Sequence, residues 1–292
     1  AGTSDPRPLV ITIAPNKPIF SGDGNMTTIG ANSASGAVTL ADTGGSDPTI
    51  TVFYGDNDAE GNATEWTPAQ LTSALWLDAD DASTVTASSG AVSQWNDKSG
   101  NNRHFTMPTT AKQPTYGTRV QNGKKVIDFD GNDYVENTAL PLGPNMTILM
   151  VAGVDTIDSA YDSLFGSGAS GQTFQFDAVL GSNFRGRLNQ TGMGSHANFT
   201  GTNNGPSIYG IVMDDSGNKI HGFLDGASQT GAGVNYTTAP STPQDFGIFR
   251  NRSKDSIPDG FAGEFLIVPS VLSELDRQKA EGYLAHKWGL TG

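Results

Sequence analysis

The sequence predicts an all-β fold, an antiparallel β-sandwich closed by a short C-terminal helix. Three observations carry this. The apolar residues fall in short β-branched and aromatic runs. Gly, 37 of 292 residues, joins Ser, Thr, Asn and Asp in filling the gaps between them. A sustained helical pattern occurs at one place, residues 273–288. The chain is long enough to bury a sizeable core and must do so without disulfides, because it has no cysteine.

Residues 1–66 read as strands without helices. LVITIA (9–14), SGAVTL (35–40) and TITVFYG (49–55) are β-branched runs bounded by Gly, Pro, Asn and Asp. So few strands make a poor independent core, so this segment reads as an N-terminal β extension. Residues 67–292 read as the sandwich. Thr67 is placed to cap and Pro68 to occupy the first helical position, so a turn or two of helix opens TPAQLTSALWLDADD (67–81). VSQWNDKSGNNRHF (92–105) is a strand running into a turn. KVIDFDGNDYVE (125–136) reads as a hairpin turning at Asp130 and Gly131. MTILMVAGV (146–154) is apolar throughout, the pattern of a strand buried on both faces. Further strands fall at 163–168, 172–180, 207–215, 219–226, 245–251 and 261–268. The terminal helix starts at Ser273, carries Glu274 and Asp276 at its positive end and Lys287 at its negative end, and offers Leu275, Tyr283, Leu284 and Trp288 as a stripe for the sheet.

Thirty Asp and Glu against 17 Lys and Arg give a formal net charge of −13. Phosphate-backbone binding needs clustered positive charge, and none occurs, so nucleic acid and anionic membrane are poor partners. No run approaches the length of a membrane span. An acidic, lysine-poor surface fits an extracellular medium.

The ordered set LWLDADDASTVT, VSQWNDKSGNNRHF, QPTYG, VIDFDGNDYV, TILMVAGV and GEFLIVPSVLSELDRQKAEGYLAHKWGL resembles the bacterial and viral laminin-G-like branch of the concanavalin A-like lectin and glucanase superfamily. The resemblance spans roughly residues 68–292 and implies a jelly-roll sandwich. The preceding segment is similar to the first half of a fibronectin-III-like unit.

Five acidic residues are candidate calcium ligands. In YGDNDAEGNATEW (54–66), Asp56, Asp58 and Glu60 alternate ahead of Gly61 like the start of a calcium loop, yet the closing position is Thr67 rather than Glu, and a hairpin turn accounts for the same residues. Asp97 in WNDKSGNNRH either closes its turn through backbone hydrogen bonds or joins a calcium site, and Asp133 in FDGND reads the same way. The ligand-binding candidates are loop side chains: Phe184 with Arg185 and Arg187, Phe199, and Tyr236. GMGSHANFTGTNNG (192–205) reads as a long polar loop of the kind that carries specificity.

Catalytic signatures are missing from the sequence. The superfamily's glucanases carry an E-x-D-x-x-E strand, whereas Glu264 stands alone in GEFLIV. The four histidines are scattered, and there is neither a G-x-S-x-G elbow nor a thiol. The expectation is a non-catalytic recognition or adhesion module at the cell surface, binding a glycan or surface polysaccharide with calcium as its candidate cofactor. The alternative is a structural module of a cell-surface or virion assembly that pairs its strands with neighbouring subunits. A polysaccharide-active enzyme is the third reading.

Overall fold

The computed structural model describes residues 9–13, 25–30, 33–38, 56–57, 63–64, 66–157, 161–167, 173–179, 183–189, 196–200, 205–236, 243–251 and 253–290. The chain divides into two compact units between Thr67 and Pro68. In the first, β1 (Leu9–Ile13), β2 (Asn25–Gly30) and β3 (Ser33–Val38) form an antiparallel sheet in the order β1–β3–β2. A second pairing joins β4 (Asp56–Asn57) to β5 (Ala63–Thr64), with Asp56 opposite Thr64. The predicted strand at 49–55 lies outside the described residues.

The second unit opens with one 3-10 turn, Pro68–Gln70, where a Pro with no N–H to satisfy is tolerated. Its strands are β6 (Leu75–Asp78), β7 (Val85–Ser88), β8 (Ala91–Trp95), β9 (Phe105–Thr106), β10 (Thr115–Gln121), β11 (Lys124–Asp130), β12 (Val135–Pro141) and β13 (Met146–Thr156). There follow β14 (Tyr161–Ser167), β15 (Thr173–Val179), β16 (Asn183–Asn189), β17 (His196–Thr200), β18 (Gly205–Asp214) and β19 (Lys219–Leu224). The short β20 (Ala227–Ser228) and β21 (Val234–Asn235) precede β22 (Pro243–Ile248), β23 (Asp259–Val268) and the helix α1 (Glu274–Trp288).

All pairings are antiparallel and they build two layers. Sheet 1 runs β10–β11–β23–β13–β18–β19, with β6 replacing β11 along the C-terminal half of β23. Sheet 2 runs β7–β8–β9–β12–β22–β14–β15–β16–β17. Aromatic rings meet between the layers: Phe265 of β23 lies 5.4 Å from Phe165 of β14 and 5.9 Å from Phe246 of β22, and Tyr209 of β18 lies 5.4 Å from Phe176 of β15. The architecture is the antiparallel sandwich that the sequence predicts.

Strand alternation divides sheet 1 between two hydrophobic layers. Ile148, Met150 and Ala152 of β13, with Phe265 and Ile267 of β23, join the inter-sheet core. Leu149, Val151, Leu266 and Val268 point the other way and are still buried, because α1 packs over β13 and β18. This is why MTILMVAGV is apolar at every position. Ser273 caps the helix by accepting the Asp276 N–H at 3.1 Å, and Gly289 ends it in the left-handed conformation at φ +68°. The buried stripe is Arg277, Ala280, Glu281, Leu284 and Trp288. Leu275, expected in that stripe, is 59% exposed, and Tyr283 is only partly buried.

Beneath the end of α1 sits a carboxylate with no exposure at all, Glu264 of β23. Its oxygens accept hydrogen bonds from the indole N–H of Trp76 at 2.7 Å, the indole N–H of Trp288 at 2.9 Å and the ammonium of Lys287 at 2.8 Å. Lys287 also reaches Asp78, which lies directly across the ladder from Glu264, and Lys98 holds the other oxygen of Asp78 at 2.9 Å. Gly263 makes room for the helix; a Cβ there would come within 3.0 Å of the Trp288 ring.

The Asp130–Gly131 turn differs from expectation. β11 pairs with β10 and β23 in sheet 1, whereas β12 pairs with β9 and β22 in sheet 2, so the turn is a corner between layers rather than a hairpin. Gly131 supplies the left-handed φ of +82° that the corner requires. Asp133, just past the corner, is 5% exposed. Burial, then the neighbouring Asp130 charge, push its carboxyl up to about 7.

Two outcomes follow. Trp288→Phe keeps most of the ring but removes a donor from a buried carboxylate, so stability should fall by about 1–3 kcal/mol in urea titration. Because the folded state holds the Asp133 proton more tightly than the unfolded chain, its contribution is fully present below the ordinary carboxylate value of 3.8 and is lost as pH rises through about 7. Thermal melts should therefore show Asp133→Asn gaining stability relative to the native chain at pH 8 and losing that advantage at pH 4.

Candidate functional site

The outer face of sheet 2, turned away from the core, collects the polar groups. In β15, Phe174 and Phe176 point into the core while Gln175 and Asp177 alternate to the opposite face, 4% and 0% exposed. Ser163 of β14 donates to Asp177 Oδ1 at 2.6 Å and accepts from Gln175 Nε2 at 3.1 Å. The register carries this face across four strands, with Glu136 of β12 opposite Gly247, Gly247 opposite Gly166 and Gly166 opposite Gln175; β16 and β17 continue the sheet, with Arg187 paired to Gln175 and to His196.

The two glycines in that row leave a trough, and Arg250 fills it. A Cβ at Gly247 would come within 2.1 Å of Arg250 Nε, and one at Gly166 within 3.2 Å of the Arg250 carbonyl. The chain reaches this position through Phe249, whose φ of +58° is unusual for a bulky residue. Burial holds it there: the Phe249 ring stacks on Phe129 at 4.1 Å and its N–H donates to the Leu164 carbonyl at 2.7 Å. The Arg250 guanidinium, fully buried, pairs with Asp245 at 2.5 Å and Glu136 at 3.1 Å, and Lys254 adds a second cation to Glu136 at 2.7 Å. The partly exposed ring of Tyr134 lies 5.8 Å from both cations. Of this group Tyr134, Asp245 and Lys254 are partly exposed and can meet a ligand rich in hydroxyl groups, while the buried Arg250 holds Asp245 and Glu136 in place.

The sequence-derived candidates separate on this frame. Phe184, Arg185 and Arg187 belong to β16 and Phe199 to β17, not to loops; the predicted polar loop at 192–205 contains that strand. In the ladder Arg185 stands opposite Asp177 and Arg187 opposite Gln175. Phe184 stands opposite Ala178 and Phe199 in the ladder. Tyr236 is not an exposed platform: it is 4% exposed, with its hydroxyl pushed up to about 12 by burial and Asp215. Residues Glu136, Tyr134, Gln175, Asp177 and Arg250 were not singled out from sequence. The period-2 alternation in FQFDAV and FRGRL is the signal that marks the face.

For the metal candidates, Asp97 uses both oxygens on backbone and hydroxyl donors of its own loop and of β6. Oδ1 accepts from the N–H of Trp76 at 3.0 Å and of Ser99 at 2.9 Å, and Oδ2 from the Ser99 hydroxyl at 2.8 Å and the Arg103 N–H at 3.0 Å. Asp133 is committed to Asp130. Asp56 sits in β4, while Asp58 and Glu60 lie outside the described residues. Among the described residues no group of three or more His, Asp or Glu side chains could hold a metal ion. Glu264 is sealed beneath two indoles and cannot meet a polysaccharide.

No protein-family model and no curated protein matches the chain. Among solved structures, domain 4 of AbnA, a GH43 extracellular arabinanase from Geobacillus stearothermophilus in complex with arabinotriose, is similar with a TM-score of 0.52 and 10% identity over 69% of this chain and 94% of that one. Trypanosoma rangeli sialidase in complex with sialic acid is similar with a TM-score of 0.51 and 14% identity, over 89% of this chain and 42% of that one. The chain spans about a third of the length of other sialidase chains that it matches. At these identities the likeness concerns the fold, an antiparallel β-sandwich.

Proposed function

We propose that this protein is a non-catalytic carbohydrate-recognition module of laminin-G-like type, working outside the cell on a glycan or surface polysaccharide. The observation that carries the reading is the partly exposed Tyr134 ring beside Lys254 and Asp245, which Glu136 and the buried Arg250 hold in place through ion pairs, on a sheet that β16 with Arg185 and Arg187 extends. Sugars are held by this combination of one aromatic surface and several oriented polar groups. The arabinanase domain carries arabinotriose and the sialidase carries sialic acid in the structures that share this fold, which supports a glycan ligand here. Among the described residues no helix is long and apolar enough to cross a membrane.

Screening the full chain on a glycan array tests the reading. A retained glycan whose affinity drops at least about tenfold, equivalent to 1.4 kcal/mol, in Arg185→Ala together with Arg187→Ala is the expected result. A blank array combined with stable oligomers in solution would replace it with the assembly-module reading, and release of free sugar from the bound polysaccharide would make the protein an enzyme. Calcium enters through the Asp56, Asp58 and Glu60 loop. A melting temperature raised by millimolar calcium, with the rise abolished in Asp58→Asn, assigns the ion there. An unchanged melt removes calcium from the reading.

A further inference from the structure

The cluster beneath α1 contains more chemistry than a salt bridge requires. Lys287 Nζ lies 2.5 Å from Asp78 Oδ1 and 2.8 Å from Glu264 Oε2. Both carboxylates are buried, at 4% and 0% exposure, and the indoles of Trp76 and Trp288 flank them. An amine, a carboxyl carbon and a second carboxyl able to move protons are thus held together in a space with little water. In such a place an ion pair carries a large desolvation cost, and a neutral amide does not.

We propose that Lys287 and Asp78 condense to an intramolecular isopeptide bond, with Glu264 as the proton shuttle. Lys287 gives one ammonium proton to Glu264, and the freed amine lone pair attacks Asp78 Cγ. Charge building on the Asp78 oxygens meets the Lys98 ammonium, 2.9 Å from Oδ2, and the Asp80 N–H, 3.2 Å from Oδ1. Glu264 receives the second N–H proton of the attacking nitrogen and returns protons to the departing oxygen. The Cγ–O bond breaks, the Cγ–Nζ bond remains, and one water leaves. The ammonium and the carboxylate together become a neutral amide plus that water, so no oxidant or activating group is needed. Burial, reinforced by Asp78, pushes the Glu264 carboxyl up, which suits it to take the lysine proton.

The geometry selects Asp78 rather than Glu264 as the acylated partner. Both Glu264 oxygens are held by indole donors, and its place between the two tryptophans is the fixed point of the cluster. The bond would join positions 209 residues apart and clamp the C-terminal helix to the first strand of the sandwich. Such a clamp acts on the unfolded chain as a disulfide would, in a protein that has no cysteine.

Intact-mass spectrometry of the purified full chain tests this. The native protein should weigh one water less than its sequence, migrate faster than Lys287→Arg on a denaturing gel, and yield a branched peptide joining Asp78 to Lys287. Lys287→Arg and Glu264→Gln should both restore the full sequence mass. A full mass for the folded native chain would overturn the proposal. So would a water loss that persists in Lys287→Arg, as dehydration at an Asp-Gly pair would give, or a branch mapped to Glu264. The native mass decides the matter even if a variant does not fold, and circular dichroism establishes which variants do.

Discussion

One buried carboxylate organises the second unit. Glu264 lies where β6, β23 and α1 meet, and each of the three contributes a group that it could not otherwise bury: the Trp76 indole, the carboxylate itself, and the Lys287 and Trp288 pair. A lone carboxylate in that position would cost several kcal/mol, and removing one partner of a buried ion pair typically costs about 3–5 kcal/mol. The helix therefore cannot shift along the sheet without stranding a charge. Sheet 1 can in turn be apolar on both faces, because the helix that covers its outside is pinned.

That arrangement divides labour between the two sheets. Sheet 1 has its outer face closed by α1 and is built for packing. Sheet 2 has no helix against it among the described residues, and its outer face is where polar side chains concentrate. The backbone makes this face by small means. Gly247 and Gly166 clear a row, the left-handed Phe249 turns the chain back, and Arg250 lies into the space with Glu136 and Asp245 as counter-charges. Strain at Phe249 is sustained by stacking in the core, so the site and the core are coupled through one residue.

Much of the fold was legible in the chain. Period-2 runs marked strands of the core, the uninterrupted MTILMVAGV marked a strand covered on both faces, and Ser273 marked the start of the helix. The site was legible only in part. Phe184, Arg185, Arg187 and Phe199 were read as loop residues, whereas they belong to the strands β16 and β17, whose alternation was not applied. Tyr236 was misplaced for the same reason that most single aromatics are: exposure depends on what other strands lay over them.

By itself the sequence determined what local chemistry decides: where the strongly patterned strands run, where the helix starts, and that disulfides are impossible. Tertiary structure decided what depends on distant partners. Glu264 looked solitary on an apolar strand, and its partner indoles lie 188 residues before it and 24 after it. Asp130 and Gly131 looked like a hairpin, and only the pairing of the flanking strands made them a corner. A charge or a turn signals its type locally, but the dielectric around it and the sheet on either side of it are set by the whole fold.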